Sequence, residues 1–298
     1  MTSRQTRSKI SITDEADSRG LEIPKSMSKR DLCTLLNVIP KQDAVQLKDY
    51  FTLKRLLGKG NFGQVWLAED NKNGTEYALK LLENMTEDSK REVGVLSVLA
   101  KRCKADNVVC YFDHFRALIS LNRKKEKPYY VIQTEFVKGI EMHKWRDEWF
   151  IEHDNKAPPK ETLHIIAKSL LRALQYIHRN RVYHLDVKPS NIMIQDENSE
   201  CKLIDFGLAC VQKSNSDCAT CEGTDGFGTP GYMSPDYASN CLLNYELGQC
   251  NEASRSGTDV WAAGLTLLSL VQPRDVGEEF QEFYESTVLK NEYQSKDE

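Results

Sequence analysis

His184-Leu185-Asp186-Val187-Lys188-Pro189-Ser190-Asn191, with Asp205-Phe206-Gly207 nineteen residues past Asp186, constrains this chain more than any other stretch. It sets two carboxylates, an ammonium group and a carboxamide on one short loop and the strand pair after it. An Asp can orient an attacking hydroxyl and accept its proton. A Lys can neutralise charge on a moving phosphate, and Asn and Asp can hold Mg²⁺. Phosphoryl transfer needs that combination, and a chance match is a poor account of so many spaced polar positions.

Three further motifs precede the loop in order. Gly58-Lys59-Gly60-Asn61-Phe62-Gly63 is a GxGxxG run. By itself it fits a tight turn, or a dinucleotide fingerprint with an acidic residue about 20 positions on, where Glu83 stands. That fingerprint opens a helix, whereas strand-like residues follow here. Glycines between two strands let a backbone lie over phosphates with no Cβ in the way. No Gly-Lys-Ser/Thr ends the run, so it is not a P-loop. Lys80, in Tyr77-Ala78-Leu79-Lys80, and Glu92, in Arg91-Glu92-Val93, come next. A strand lysine or helix glutamate taken singly is a solvated surface group; the order of the motifs marks these two out.

At 298 residues the chain can bury a sizeable core. A net charge of −4 gives no reason to expect nucleic acid or an anionic membrane as a partner. The longest apolar stretch, Ala262 to Val271, is ten residues, well short of the roughly 20 that span a bilayer. The basic start has no apolar run behind it, so no secretory signal is read. Nine cysteines without framework spacing read as reduced thiols of the cytosol or nucleus. Cys218-Ala219-Thr220-Cys221 reads first as free thiols on a loop, with a zinc corner or redox control as the alternatives.

Residues 1–45 read as disordered, with a short helix near Arg30 to Val38. Strand character follows at Tyr50–Leu57, Gln64–Asp70 and Thr75–Leu82, the last two joined by an Asn73-Gly74 turn. A helix is predicted over Thr86–Arg102, then strands over Val108–Phe115 and Tyr129–Phe136 with a charged loop between them. Glu161–Asn180 carries apolar residues at helical spacing. Trp145 and Trp149, four apart, suit packing along a helix.

Taken together, these motifs resemble those of eukaryotic protein kinases of the serine/threonine class, over about residues 50 to 271. The resemblance implies an α+β fold of two lobes. The kinase domain would cover 50–298, with an antiparallel-β lobe at 50–136 and a helical lobe, incomplete at its end, at 137–298. It implies ATP and Mg²⁺ as cofactors, protein serines and threonines as substrates, and room for a regulatory partner. Gly58, Gly60 and Gly63 would cover the phosphates, with Leu57 also in the ATP site, Lys80 on the α- and β-phosphates and Glu92 as its anion. Val65 and Ala78 would lie above adenine and Met193 below it. Thr134 would be the gatekeeper, before a hinge of Glu135, Phe136 and Val137. Asp186 would be the catalytic base and Lys188 the γ-phosphate contact, with Asn191 and Asp205 on Mg²⁺. Thr229, in Gly228-Thr229-Pro230-Gly231-Tyr232, would bond to Asp186 and Lys188. Asp259 would hold the catalytic-loop backbone. Leu96, Tyr111, His184 and Phe206 would stack as a spine, with His184 a packed residue and not an acid or base.

Two residues depart from the family pattern. Leu185 stands where most kinases have the Arg that pairs with an activation-loop phosphate. Asp236, in Ser234-Pro235-Asp236, replaces a Glu. Few residues follow Val271, so by this resemblance the chain is cut short. Two rival readings stand beside the enzyme: a pseudokinase scaffold that binds partners without transfer, and a small-molecule kinase.

Overall fold

Alternation along the strands builds the first lobe. In the strand Glu76–Leu82, Leu79 and Leu81 are buried on one face, and Ala78 and Lys80 lie on the other, as the two-residue period of a pleated strand requires. The computed structural model describes residues 44–60, 63–100, 107–121, 125–195, 198–212, 221, 228–238, 252–274, 276–277 and 279–280. The segment 1–43, with the helix expected near Arg30, lies outside them.

Six strands form one sheet: β1 (Val45–Gln46), β2 (Phe51–Gly60), β3 (Gly63–Asp70), β4 (Glu76–Leu82), β5 (Tyr111–Ile119) and β6 (Lys127–Glu135). Their order is β1-β5-β6-β4-β3-β2, antiparallel except for the parallel β1–β5 pair. The sheet thus begins at Val45, ahead of the expected start at residue 50. The Asn73-Gly74 turn forms as predicted, with Gly74 N donating to Asp70 O at 2.8 Å and Thr75 N to the Asn73 side chain at 2.8 Å. β5 starts later than the predicted Val108. Residues 107–109 direct their backbone bonds elsewhere: Leu203 N donates to Asn107 O, and Val109 N to Leu203 O.

Helix α1 (Glu87–Leu99) is capped by Thr86, whose hydroxyl accepts from Ser89 N at 3.2 Å. It crosses the sheet with Val93, Val95, Leu96 and Leu99 buried. The second lobe is built on α2 (Met142–Glu152), α3 (Lys160–Arg179) and α4 (Glu252–Ser269). On α3, Ile166, Leu170, Ala173, Leu174 and Ile177 are buried at the spacing of a single helical face. Trp145 and Trp149 stack along α2 at 5.5 Å, as their spacing predicts. Short strands complete the lobe: β7 (Gly139–Glu141) pairs with β9 (Ile192–Gln195), β9 with β10 (Cys201–Leu203), and β8 (Val182–Tyr183) with β11 (Cys210–Val211).

One apolar core runs through both lobes, from Leu82 and Leu96 through Tyr111 and Phe206 to Leu170 and Ile177. A second fills the far face of the sheet around Phe51, Leu79 and Val131. Val260, Leu268 and Val271 are exposed. Among the described residues no helix is long and apolar enough to cross a membrane.

Candidate active site

Between the sheet and the second lobe lies a cleft of about 460 Å³. Its roof is β2 and β3, from which Leu57, Gly58, Gly60, Gly63 and Val65 face inward. Gly63 has φ +121°, and a Cβ there would lie 2.3 Å from the Leu81 carbonyl oxygen, so the sheet itself demands glycine. Its back carries Ala78 and Lys80 from β4 and Thr134 from β6, with Glu92 from α1 behind them. Glu135 and Val137 form the edge where the lobes join, and Met193, Asn191 and Asp205 the floor. The structure thus brings to one cavity the side chains that the sequence scatters over residues 57 to 205.

Lys80 sits deep in it. Its Nζ lies 2.8 and 2.7 Å from the two Glu92 carboxylate oxygens and 3.7 Å from Asp205 Oδ1. Burial works against the ammonium charge, but Glu92, and then Asp205, outweigh it and hold the Lys80 pKa above its ordinary range. Lys80 therefore stays a cation at neutral pH, pointed into the cleft.

Asp186 and Lys188 lie beside the cavity. Thr229 Oγ1 donates to Asp186 Oδ1 at 2.6 Å, and Asn191 Nδ2 donates to Asp186 Oδ2 at 2.8 Å. Lys188 Nζ is 2.9 Å from Asp186 Oδ2 and 2.7 Å from Thr229 Oγ1. The Thr229 contacts expected from the sequence are present. The loop is set from below by Asp259, which is fully buried. Asp259 Oδ2 accepts from His184 N and Oδ1 from Leu185 N, at 2.9 and 2.8 Å. His184 is fully buried against Phe206, 4.8 Å between ring centroids, the packed residue it was expected to be. Leu185 (φ 63°) and Asp205 (φ 56°) both hold left-handed backbone. That conformation is costly for a non-glycine residue and is concentrated at sites where side chains must be aimed.

Sequence reasoning missed the buried Lys202, which pairs with Glu135 Oε1 at 2.5 Å while Glu135 Oε2 accepts from Cys110 N. A lysine inside the apolar strand Cys201-Lys202-Leu203 was the available signal. It also missed Glu141 and Lys144 on the cleft floor, 2.9 Å apart. The cysteine reading needs correction. Cys210 and Cys221 form a disulfide, and Cys110 is disulfide-bonded as well, whereas Cys201 is a buried free thiol. Spacing led first to free thiols at Cys218 and Cys221, but folding places Cys221 beside the β11 residue Cys210. Cys218 lies outside the described residues.

The family model of the protein kinase domain matches residues 51–294. Over 233 residues the chain is 28% identical to "CBL-interacting protein kinase 15" of Oryza sativa subsp. japonica, covering 76% of this chain and 46% of the relative. It is 30% identical over 230 residues to "Serine/threonine-protein kinase TIO" of Arabidopsis thaliana, covering 75% and 15%. It is 28% identical over 222 residues to "Serine/threonine-protein kinase 4 homolog B" of Dictyostelium discoideum, covering 74% and 17%. The chain spans less than half the length of these relatives.

Proposed function

This chain belongs to the protein kinase family, and from that premise we propose that it transfers the γ-phosphate of ATP to serine or threonine hydroxyls of proteins. One observation carries the reading. A buried Lys80–Glu92 pair and a loop carrying Asp186, Lys188 and Asn191 stand at one cleft, each held by named partners.

In this reading Asp186 receives the acceptor hydroxyl's proton. Its carboxylate is already oriented by Thr229 and Asn191, so little reorganisation accompanies the step. Lys188 offsets charge on the phosphate in flight, and Lys80 orients the nucleotide. Asn191 and Asp205 line the same floor, and an amide carbonyl with a carboxylate is a hard-oxygen set that fits Mg²⁺. That ion would neutralise phosphate charge. Leu57, Val65, Ala78, Thr134 and Met193 would enclose the adenine, with the Glu135 to Val137 backbone along its edge.

The test is transfer from radiolabelled ATP to a serine/threonine peptide library. Lys80→Met is expected to lower it by roughly 10²–10³-fold, the loss typical of removing one preorganised charge donor. Equal incorporation by both proteins would overturn the reading and favour a partner-binding scaffold.

Leu185 makes a second prediction. It is buried in an apolar cluster with Tyr183, Met233 and Tyr237, so position 185 itself offers a phosphate no charge. Phosphatase treatment of active protein is therefore expected to leave the transfer rate unchanged. A loss of activity would refute this.

A further inference from the structure

Leu185 shares its cluster with Cys210 and Cys221. Cys210 is fully buried and Cys221 is 5% exposed, with their Cα atoms 4.9 Å apart. Cys210 belongs to β11, where it pairs with Tyr183 of β8 just before the catalytic loop. Cys221 O is also within 3.5 Å of the Arg255 guanidinium on α4. The bond thus ties the segment leading toward Thr229 to the base of the loop that carries Asp186.

The tie reaches the reacting groups through few contacts. Leu185 packs in the cluster, and its carbonyl closes tightly on Gly228. A Cβ on Gly228, φ +131°, would lie 2.5 Å from Leu185 O. Thr229 follows Gly228 and donates to Asp186. By the family resemblance, a phosphate would hold this segment through a cation at position 185. Here that position is apolar and a covalent bond lies next to it.

We propose that Cys210 and Cys221 are a reversible thiol–disulfide modification site, and that its oxidised form anchors the activation segment in place of phosphorylation. The inference rests on the kinase reading above. The co-reactant is a small-molecule disulfide of the glutathione type. One cysteine thiolate attacks a sulfur of that disulfide and expels one small thiol. The second cysteine thiolate attacks the resulting mixed disulfide and expels the other. Two protein thiols are oxidised and one small disulfide is reduced to two thiols, which take up the two protons. Both sulfurs are buried, so exchange requires that they become accessible to the small disulfide. Breaking the bond restores chain entropy to the loop it closes.

The experiment equilibrates purified full chain in glutathione buffers of varied poise, maps the cross-link by peptide mass spectrometry and measures phosphate transfer. Oxidised wild type is expected to carry a 210–221 cross-linked peptide. Reduction should slow transfer ~10-fold or more, on the scale of a lost loop constraint, and reoxidation should restore it. Cys110 is in a disulfide too, so Cys110→Ser is the control: it should keep the response, and Cys221→Ser should lose it. Absence of the 210–221 peptide, an unchanged rate on reduction, or a loss that reoxidation does not restore would each overturn the proposal. If no redox state transfers phosphate, the kinase reading fails separately. The cross-link map and a poise-dependent, reversible change in melting temperature then decide the modification site. A missing cross-link or an unmoved melting temperature overturns it.

Discussion

Asp186→Asn is expected to abolish most phosphate transfer, by roughly 10²–10⁴-fold in kcat, the range for loss of a positioned acid–base group, while ATP affinity stays as in the unaltered protein. Asp186 lies beside the cleft rather than in its lining, bonded to Thr229, Asn191 and Lys188. The amide keeps the shape and one acceptor oxygen, so Thr229 or Asn191 can still be satisfied. What it loses is the charge that holds Lys188 and the basicity that takes up a proton. Single-turnover transfer measured beside calorimetric ATP binding separates the two effects. Should kcat stay within the error of the unaltered protein, Asp186 is not the base.

Asp259→Ala is expected to be the most destabilising single change near the site. Asp259 is buried and accepts from His184 N and Leu185 N, with His178 Nε2 2.9 Å from its Oδ2. Alanine leaves two buried backbone donors without an acceptor, at about 1–3 kcal/mol each. It also frees the catalytic loop at Leu185, whose left-handed backbone persists only while its surroundings hold it. A total loss of about 3–5 kcal/mol follows, seen as a fall of roughly 10 °C in melting temperature. Asp259→Asn should cost less than alanine, because its amide oxygen can still accept from one of the two backbone N–H groups, although its NH2, a donor, leaves the other unsatisfied. A melting temperature unmoved by alanine would show that these bonds do not hold the loop.

The repeating parts of the fold were legible because they follow from periodicity. The alternation in Glu76–Leu82 and the apolar face of Lys160–Arg179 require only a period, and the boundaries fell within a few residues. The β5 start was misread for a reason beyond the strand. Val108 looks like strand residue, yet its neighbours bond to Leu203, 95 positions along in the chain. The site residues were legible for a different reason: glycine loop, lysine, glutamate and catalytic loop occur in an order that few chains share. Lys202 was not, because its partner Glu135 lies 67 residues away and no local pattern marks the pair.

The chain's own residues determined the chemistry on offer: a strand lysine, a helix carboxylate, a loop with a carboxylate and an ammonium group, and further side-chain oxygens at Asn191 and Asp205. They also settled that Leu185 cannot bind a phosphate by charge. Only the tertiary structure decided which groups meet. It set Lys80 against Glu92 and Asp205, closed Thr229 onto Asp186, and paired Cys221 with Cys210 where spacing favoured a different reading. The physical reason is that period and composition act over a few residues, whereas these contacts form when two cores pack and bring distant backbone into reach.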